Sequence, residues 1–195
     1  MMELFEAIQT RRSIGKVMDK PVPAELIKQV IEAGTWAPNH HRTEPWRFFV
    51  LEGEGRNVLS HALVESLKNT MDDPSTELNQ ERLEKISKQP YRSPVIIVVA
   101  CEPTLDNDKV IQEEEFAAVH AATQNMLLAA HALGLGAVWR TGKPCYSKKM
   151  SEAFGLSENG SVTGLLYIGY PDMVKKPADR KSVDEVTKWI STKSF

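Results

Sequence analysis

The sequence predicts a three-layer α/β domain, with helices on both faces of a central sheet. Segments of strand and helix character alternate along most of the chain, and no internal repeat or break in composition divides it. Residues 94–101 form a nearly continuous β-branched run, which is typical of a strand buried on both faces, near the middle of a sheet. A chain of 195 residues is long enough to bury a core as one domain, so we expect residues 1–195 to form a single unit.

The first half of the chain supplies two helices, a strand and a third helix. Apolar residues at helical spacing predict a first helix over residues 3–12. A second helix is expected between Pro23 and Gly34, where the glycine suits the C-terminal cap. Residues 46–53 are rich in β-forming residues and lead into a Gly-Glu-Gly turn, after which residues 55–70 are expected to be helical.

The second half begins with a polar segment, residues 70–92, which contains Pro74 and has no strong apolar face. We expect it to be a mobile excursion with some helix. The longest helical pattern starts near residue 112, is rich in alanine and acidic at its start, and should be capped by Gly134 or Gly136.

Three short elements and a tail complete the prediction. The segments "AVWRTG" and "SVTGLLYIGYP" predict strands, and "SKKMSEAFG" between them predicts a short helix. From about residue 172 to residue 195 the chain is polar until "VDEVTKWI", whose apolar residues could form a stripe against another subunit. We therefore expect this tail to be an arm that packs on a partner subunit.

Composition excludes several classes of protein. With 24 basic and 26 acidic residues, the net charge of -2 gives no broad positive field for a nucleic-acid backbone. No apolar run approaches the roughly 20 residues of a membrane helix, and the N-terminus lacks the order of regions that marks a signal peptide. We predict a cytoplasmic protein without membrane or nucleic-acid partners, in which Cys101 and Cys145 are buried thiols.

The first candidate site is the triplet Arg11, Arg12 and Ser13 in "QTRRSIG". Two guanidinium groups and a hydroxyl offer planar donors that match phosphate oxygens better than lysine does. The same arginines could instead complement the dipole at the end of the first helix. From the triplet alone, both interpretations stay open.

The second candidate is the loop "WAPNHHRTEPWRF", which joins a predicted helix to a predicted strand. Its prolines, tryptophans and hydrogen-bonding groups suit a flat heteroaromatic ligand. Metal binding by His40 and His41 is the alternative, but adjacent histidines point differently and the nearest carboxylate is Glu44. We predict no metal site, and we expect His120 and His131 to be ordinary core or surface residues of the long helix.

The third candidate is the end of the strand in "GLGAVWRTG", where Trp139, Arg140 and Thr141 stand. Ligands of α/β folds bind at strand ends, although a packed tryptophan before a solvated turn would give the same pattern. The chain has no GxGxxG, GxxxxGK[ST] or GxSxG motif, which argues against a Rossmann dinucleotide site, a P-loop and a serine-hydrolase elbow.

Taken together, the order and spacing of these motifs resemble the nitroreductase family, in its compact subgroup. The segments that carry the resemblance are "AIQTRRSIGKV", "AGTWAPNHHRTEPWRFFVLEG", "AHALGLGAVWRTG" and "LLYIGYP", and they leave out mainly residues 70–92. The family implies an α+β fold with a mixed, mainly antiparallel sheet between two helical layers. It also implies an intertwined homodimer with two FMN sites at the interface between subunits.

The resemblance assigns the candidate residues to FMN. It implies that Arg11, Arg12 and Ser13 hold the phosphate, the ribityl chain or the ring edge. It implies further contacts from the end of the strand in the same chain, at Trp139, Arg140 and Thr141. It also implies contacts from the loop of the partner subunit, at Trp36, Pro38, Asn39 and His40. The chain departs from the family pattern at Gly15 and Lys16, where further arginines are common, and at Glu44, where glutamine is frequent. Arg180 and Lys181 of the tail are additional candidates for the phosphate.

The implied activity is transfer of hydride from NAD(P)H through FMN to a nitroaromatic or quinone-like acceptor, in a ping-pong reaction. Because the flavin carries the chemistry, no catalytic side chain is expected. The alternatives are a flavoprotein of the same fold that dehalogenates a substrate or cleaves flavin, and a non-catalytic module that binds flavin, an acidic partner or nucleic acid.

Overall fold

The sheet of the protein is built from four antiparallel strands. The structure is a computed structural model, which describes residues 2–105, 108–176 and 178–191. The strands are β1 (Trp46–Glu52), β2 (Val95–Cys101), β3 (Gly136–Arg140) and β4 (Ser161–Gly169), and their order in the sheet is β1-β2-β4-β3. One isolated parallel bridge, between Ser13 and Ala137, adds the N-terminal segment to the β3 edge.

Helices cover both faces of this sheet. They are α1 (Leu4–Thr10), α2 (Ala24–Thr35), α3 (Arg56–Lys68), α4 (Glu77–Ser87), α5 (Gln112–Ala132), α6 (Lys148–Ala153) and α7 (Val183–Val186). Short 3-10 segments lie at His40–Arg42, Gly53–Gly55 and Gln89–Arg92. The core beneath α2 and α5 and the core beneath α3 and α6 take alternate residues of the central strands. The structure thus confirms the three-layer architecture.

The central position of β2 follows from its composition. Every residue of this strand is buried, with Ile97 in the core beneath α5 and Ile96 in the core on the other face. A strand with two apolar faces is stable only between two helical layers, as the β-branched run predicted.

Gly34 is not the helix cap that the sequence suggested. It is buried inside α2, which continues to Thr35, and a Cβ atom on it would lie 2.8 Å from the Cγ of Met126. Its small size therefore allows α2 to pack closely on α5. Gly134 does cap α5: its φ of 77° is left-handed, its N–H bonds to the carbonyl of His131, and the N–H of Leu135 bonds to that of Ala130.

The segment 70–92 is more regular than the sequence suggested. It contains the 11-residue helix α4, which packs against α3. The N-cap of this helix is Thr76, whose hydroxyl accepts a hydrogen bond from the N–H of Asn79. Leu83 and Ile86 are buried. Two apolar residues three positions apart are enough to attach one side of an otherwise polar helix, which explains why the periodicity was weak.

Within the C-terminal tail, the described residues 172–176 and 178–191 lie mostly at the surface of the chain. The helix α7 has a capping box in which Ser182 and Glu185 exchange hydrogen bonds. The apolar side chains that follow the predicted stripe are all exposed: Val183, Val186, Trp189 and Ile190. Among the described residues, no helix is long and apolar enough to cross a membrane.

Candidate functional site

The arginine segment runs beside the open edge of the sheet. The first helix ends at Thr10, two residues earlier than predicted, and Arg11 has the extended ψ of 132°. Ser13 then pairs in parallel with Ala137, and the N–H of Ile14 donates to the carbonyl of Ala137 at 2.9 Å. This bridge fixes the segment alongside β3, one of the two edge strands.

Among the described residues, no acidic side chain forms a salt bridge with the arginines of this segment. The Nη1 of Arg12 donates to the carbonyls of Gln9 and Arg11, both at 2.8 Å, while its Nε is buried without a hydrogen-bond partner. No salt bridge within the described ranges involves Arg11 or Arg12. Burial lowers the pKa of Arg11, and the nearby charges of Arg12 and Arg180 lower it further. Such a site favours an anion.

The histidine at the end of α5 borders the same segment. The Nε2 of His131 lies 2.8 Å from the hydroxyl of Thr10. Burial lowers the pKa of His131 most, and the charge of Arg11 lowers it further. The charge of Glu6 raises this pKa, and that of Arg12 lowers it by a smaller amount. A cavity of about 340 Å³ lies here, and its lining includes Arg12 and His131. No feature of the sequence indicated that this histidine lies beside the arginines.

The loop before β1 has an unusual backbone. His41, Arg42 and Glu44 have φ values of 57°, 56° and 47°, in the left-handed region that residues other than glycine rarely adopt. The side-chain oxygen of Asn39 accepts a hydrogen bond from the N–H of Glu44, and the rings of His40 and His41 stack with centroids 3.9 Å apart. Strained backbone of this kind persists only where the surroundings hold it, and it is concentrated at functional sites.

Two adjacent glutamates of α5 hold this loop. The Nδ1 of His40 lies 2.6 Å from Oε2 of Glu114, at the surface. The hydroxyl of Thr43 donates to Oε1 of Glu115 at 2.5 Å, and the N–H of Thr104 donates to Oε2 of Glu115 at 3.1 Å. Glu115 is only 1% exposed, so both of its oxygens are used inside the protein.

A second cavity, of about 510 Å³, lies between this loop and the first half of α5. Its lining includes Pro38, Asn39 and His40. The side chain of the neighbouring Trp36 is 80% exposed and does not belong to the core. The predicted loop residues therefore line or flank an open space that their own chain does not fill.

At the end of β3, the candidate residues separate. Side chains of a strand alternate between faces, so Trp139 lies on the α5 side, with its ring centroid 5.6 Å from that of His120. Its Nε1 is buried without a hydrogen-bond partner and packs directly over Gly164, where any Cβ would collide with it. Arg140 lies on the opposite face, where its Cζ is 5.1 Å from the centroid of the Tyr167 ring.

The ten candidate residues are thus not one cluster within the chain. Glu114 holds the loop near one end of α5, and His131 borders the arginines near the other. At a rise of about 1.5 Å per residue, the two positions are about 25 Å apart, close to the diameter of a small domain. The arginine segment and the loop of the same chain therefore lie near opposite ends of α5.

The remaining predictions of the sequence concern metals and thiols. Within the part of the chain that the structure describes, no three His, Cys, Asp or Glu side chains are placed to hold a metal ion. Cys101 and Cys145 are free and buried, as expected, and burial raises their pKa to about 12 and about 11. The sequence did not identify Glu115, but Gly164 inside a strand was a usable signal of close approach.

Comparisons with known proteins identify the family and the fold of the chain. The model of the nitroreductase family matches residues 8–170. The chain is 34% identical over 170 residues to YfhC of Bacillus subtilis (strain 168), a protein assigned by name to the NAD(P)H nitroreductases, and the match covers 87% of this chain and 84% of that one.

Two solved structures are similar over nearly the whole chain. A nitroreductase-like family protein from Bacillus cereus superposes with a TM-score of 0.84 at 30% identity, covering 98% of each chain. A protein from Desulfovibrio desulfuricans, solved in complex with FMN, superposes with a TM-score of 0.69 at 26% identity, covering 98% of this chain and 99% of that one.

Proposed function

The chain belongs to the nitroreductase family, and from that membership we propose that it is an FMN-dependent oxidoreductase. It transfers hydride from NAD(P)H through the flavin to a nitroaromatic or quinone-like acceptor, with the two substrates bound in turn. The observation that carries the proposal is the arginine segment, whose half-buried cations form no salt bridge among the described residues.

The residues present fit an anionic, partly aromatic cofactor. Arg12 has a buried Nε–H without an acceptor, and Arg11 is surrounded by like charge, so a phosphate would satisfy both. We assign the phosphate and ribityl chain to Arg11, Arg12 and Ser13. Arg180 of the tail lies close enough to affect Arg11 and is the additional cation that we propose for the phosphate.

The ring would lie by the end of β3. The buried Nε1–H of Trp139 also lacks an acceptor, and Thr141 follows the strand at the same edge. Bound FMN would supply the hydride chemistry, so the protein's part is to bind, orient and exclude water. We omit Arg140 from the set, because its side chain lies on the far face of the sheet.

We propose that the site is completed by the loop of a second subunit. The 25 Å between the loop and the arginines of one chain supports this, since a partner can bring its own loop to the ligand. Trp36, Pro38, Asn39 and His40 would then be contributed in trans. The exposed apolar side chains of α1 and of the tail are available to bury: Leu4, Phe5, Ile8, Val183, Val186, Trp189 and Ile190. The tail from about residue 172 to residue 195 would pack on the partner.

The test is the colour and reactivity of the purified protein. We expect a yellow dimer that releases FMN on denaturation, is bleached by NADH or NADPH under anaerobic conditions, and recovers its colour with a nitroaromatic or a quinone. A colourless protein that takes up no FMN on dialysis would refute the cofactor. A yellow protein that nicotinamides do not bleach would retain FMN but refute the NAD(P)H activity, in favour of the dehalogenating or flavin-cleaving alternatives.

A further inference from the structure

A cavity on the face of the sheet opposite α5 borders the proposed flavin site at Thr141, but most of its lining has no part in that proposal. Its volume is about 290 Å³, and α3, α4, β4 and the loop before α6 surround it. Apolar side chains, among them Leu63, Ile86 and Leu165, form much of its wall. The size is at the lower limit of ordinary ligand pockets, which suits a molecule of about one ring.

Two polar side chains in this wall have hydrogen-bond donors without an acceptor. Arg140 lines the cavity with an Nε–H that is buried without an acceptor, and Tyr167, itself 3% exposed, has a buried hydroxyl without a partner. The guanidinium lies over the Tyr167 ring, so the two groups sit together. Buried donors of this kind are costly unless an acceptor reaches them.

The charged and titratable side chains that line the cavity indicate the charge of the ligand that it would bind. Its lining contains no aspartate or glutamate, and no salt bridge in the described ranges involves Arg140. Desolvation raises the pKa of Tyr167 to about 12, so its hydroxyl is a donor at neutral pH. Cys145 is also a neutral thiol there, because burial raises its pKa to about 11. The cavity thus offers one cation and a phenol donor with no internal anion.

We propose that this cavity is a second ligand site, next to the proposed flavin site at Thr141, which binds a small organic carboxylate with an apolar body of about one ring. The carboxylate accepts hydrogen bonds from Arg140 and Tyr167, and the body lies against Leu63, Ile86 and Leu165. Carboxylates match the planar donors of arginine. The proposal does not depend on FMN, because the residues that carry it lie on the other face of the sheet from Trp139.

The test uses 4-bromobenzoate as the probe and isothermal titration calorimetry of the purified protein, with any flavin it carries. We expect binding to wild type, and binding at least tenfold weaker to Arg140→Gln and severalfold weaker to Tyr167→Phe. The neutral 4-bromobenzamide, which has the same shape, should bind at least tenfold more weakly than the acid. The matched control is Arg56→Gln, another arginine over a tyrosine ring, at 5.3 Å from Tyr91, which should leave binding unchanged.

A crystal soaked with the same probe locates it. An anomalous bromine peak between Leu63 and Leu165 is the expected result. Binding that Arg140→Gln and Tyr167→Phe leave intact, or a peak elsewhere, would overturn the proposal, as would a cavity that holds only water when the probe is present. Melting temperatures of both variants within a few degrees of wild type show that they are folded. If Arg140→Gln does not fold, Tyr167→Phe still tests the proposal, because it keeps the aromatic ring and removes only the hydroxyl.

Discussion

The two ends of α5 carry the two halves of the proposed flavin site, and they are built in opposite ways. At the N-terminal end, the loop of residues 39–44 is held by Glu114 and Glu115, and its polar groups bond to one another. At the C-terminal end, Arg11 lies near the charges of Arg12 and Arg180, and no salt bridge among the described residues involves any of the three. The loop is therefore organised by the protein itself, whereas the arginines are stabilised fully only when an anion binds.

This difference separates ligand affinity from protein stability. Removing a side chain from the arginine end should weaken FMN binding and leave the folded chain as stable or more stable. Removing one from the loop end should weaken the fold first. Three predictions test this contrast.

Arg11→Ala should have the largest effect. A hydrogen bond between charged groups is worth about 1.5–3 kcal/mol, so FMN affinity should fall by roughly tenfold to a hundredfold. The free energy of unfolding of the FMN-free protein should not fall, because the variant removes repulsion from Arg12 and Arg180. Fluorescence titration with FMN and urea denaturation of the FMN-free protein measure the two quantities.

The matched control for this variant is Arg82→Ala, on the exposed surface of α4. It should change neither quantity. Unchanged FMN retention in Arg11→Ala, with the dimer and the circular dichroism spectrum intact, would assign Arg11 only to the end of α1.

Glu115→Ala should lower the free energy of unfolding by about 1–3 kcal/mol, since it removes a buried carboxylate and leaves the part-buried hydroxyl of Thr43 and N–H of Thr104 without their acceptor. Glu114→Ala is the control: it removes the neighbouring carboxylate, which pairs with His40 at the surface, and should cost less than about 1 kcal/mol. Urea denaturation gives both values. Hydrogen exchange should rise in residues 39–44 of the first variant, and equal costs for the two variants would contradict a buried anchor.

His131 should give the smallest effect, as a dependence of stability on pH. Its pKa is lowered in the folded protein, so the unfolded chain binds the proton more readily. The stability it contributes is present above its ordinary pKa of about 6.5 and is lost as the pH falls through the lowered value. Denaturation midpoints of the FMN-free wild type should show that stability falls between pH 7.5 and 5. This loss of stability should be smaller in His131→Gln. It should be unchanged in the control His61→Gln, whose residue lies on the exposed surface of α3. A loss equal in all three proteins would place the titration elsewhere.

The sequence by itself determined the layers of the fold and the order of its motifs. Continuous β-branched residues can be stable only between two apolar layers, and helical periodicity identifies the face that a helix buries. These are local signals, and they were sufficient for β2 and α5, while they left the cap of α5 open between Gly134 and Gly136. The arginine triplet and the histidine loop were also identified as candidate sites by their residue types.

Only the tertiary structure determined which of those residues lie close together. It put Trp139 and Arg140 on opposite faces of the sheet, and it put the arginines and the loop at opposite ends of α5. It also brought Glu115 to Thr43 and Tyr167 to Arg140, pairs far apart in the sequence. The physical reason is that charge, burial and hydrogen-bond satisfaction depend on neighbours in space, which the spacing of residues along the chain does not specify.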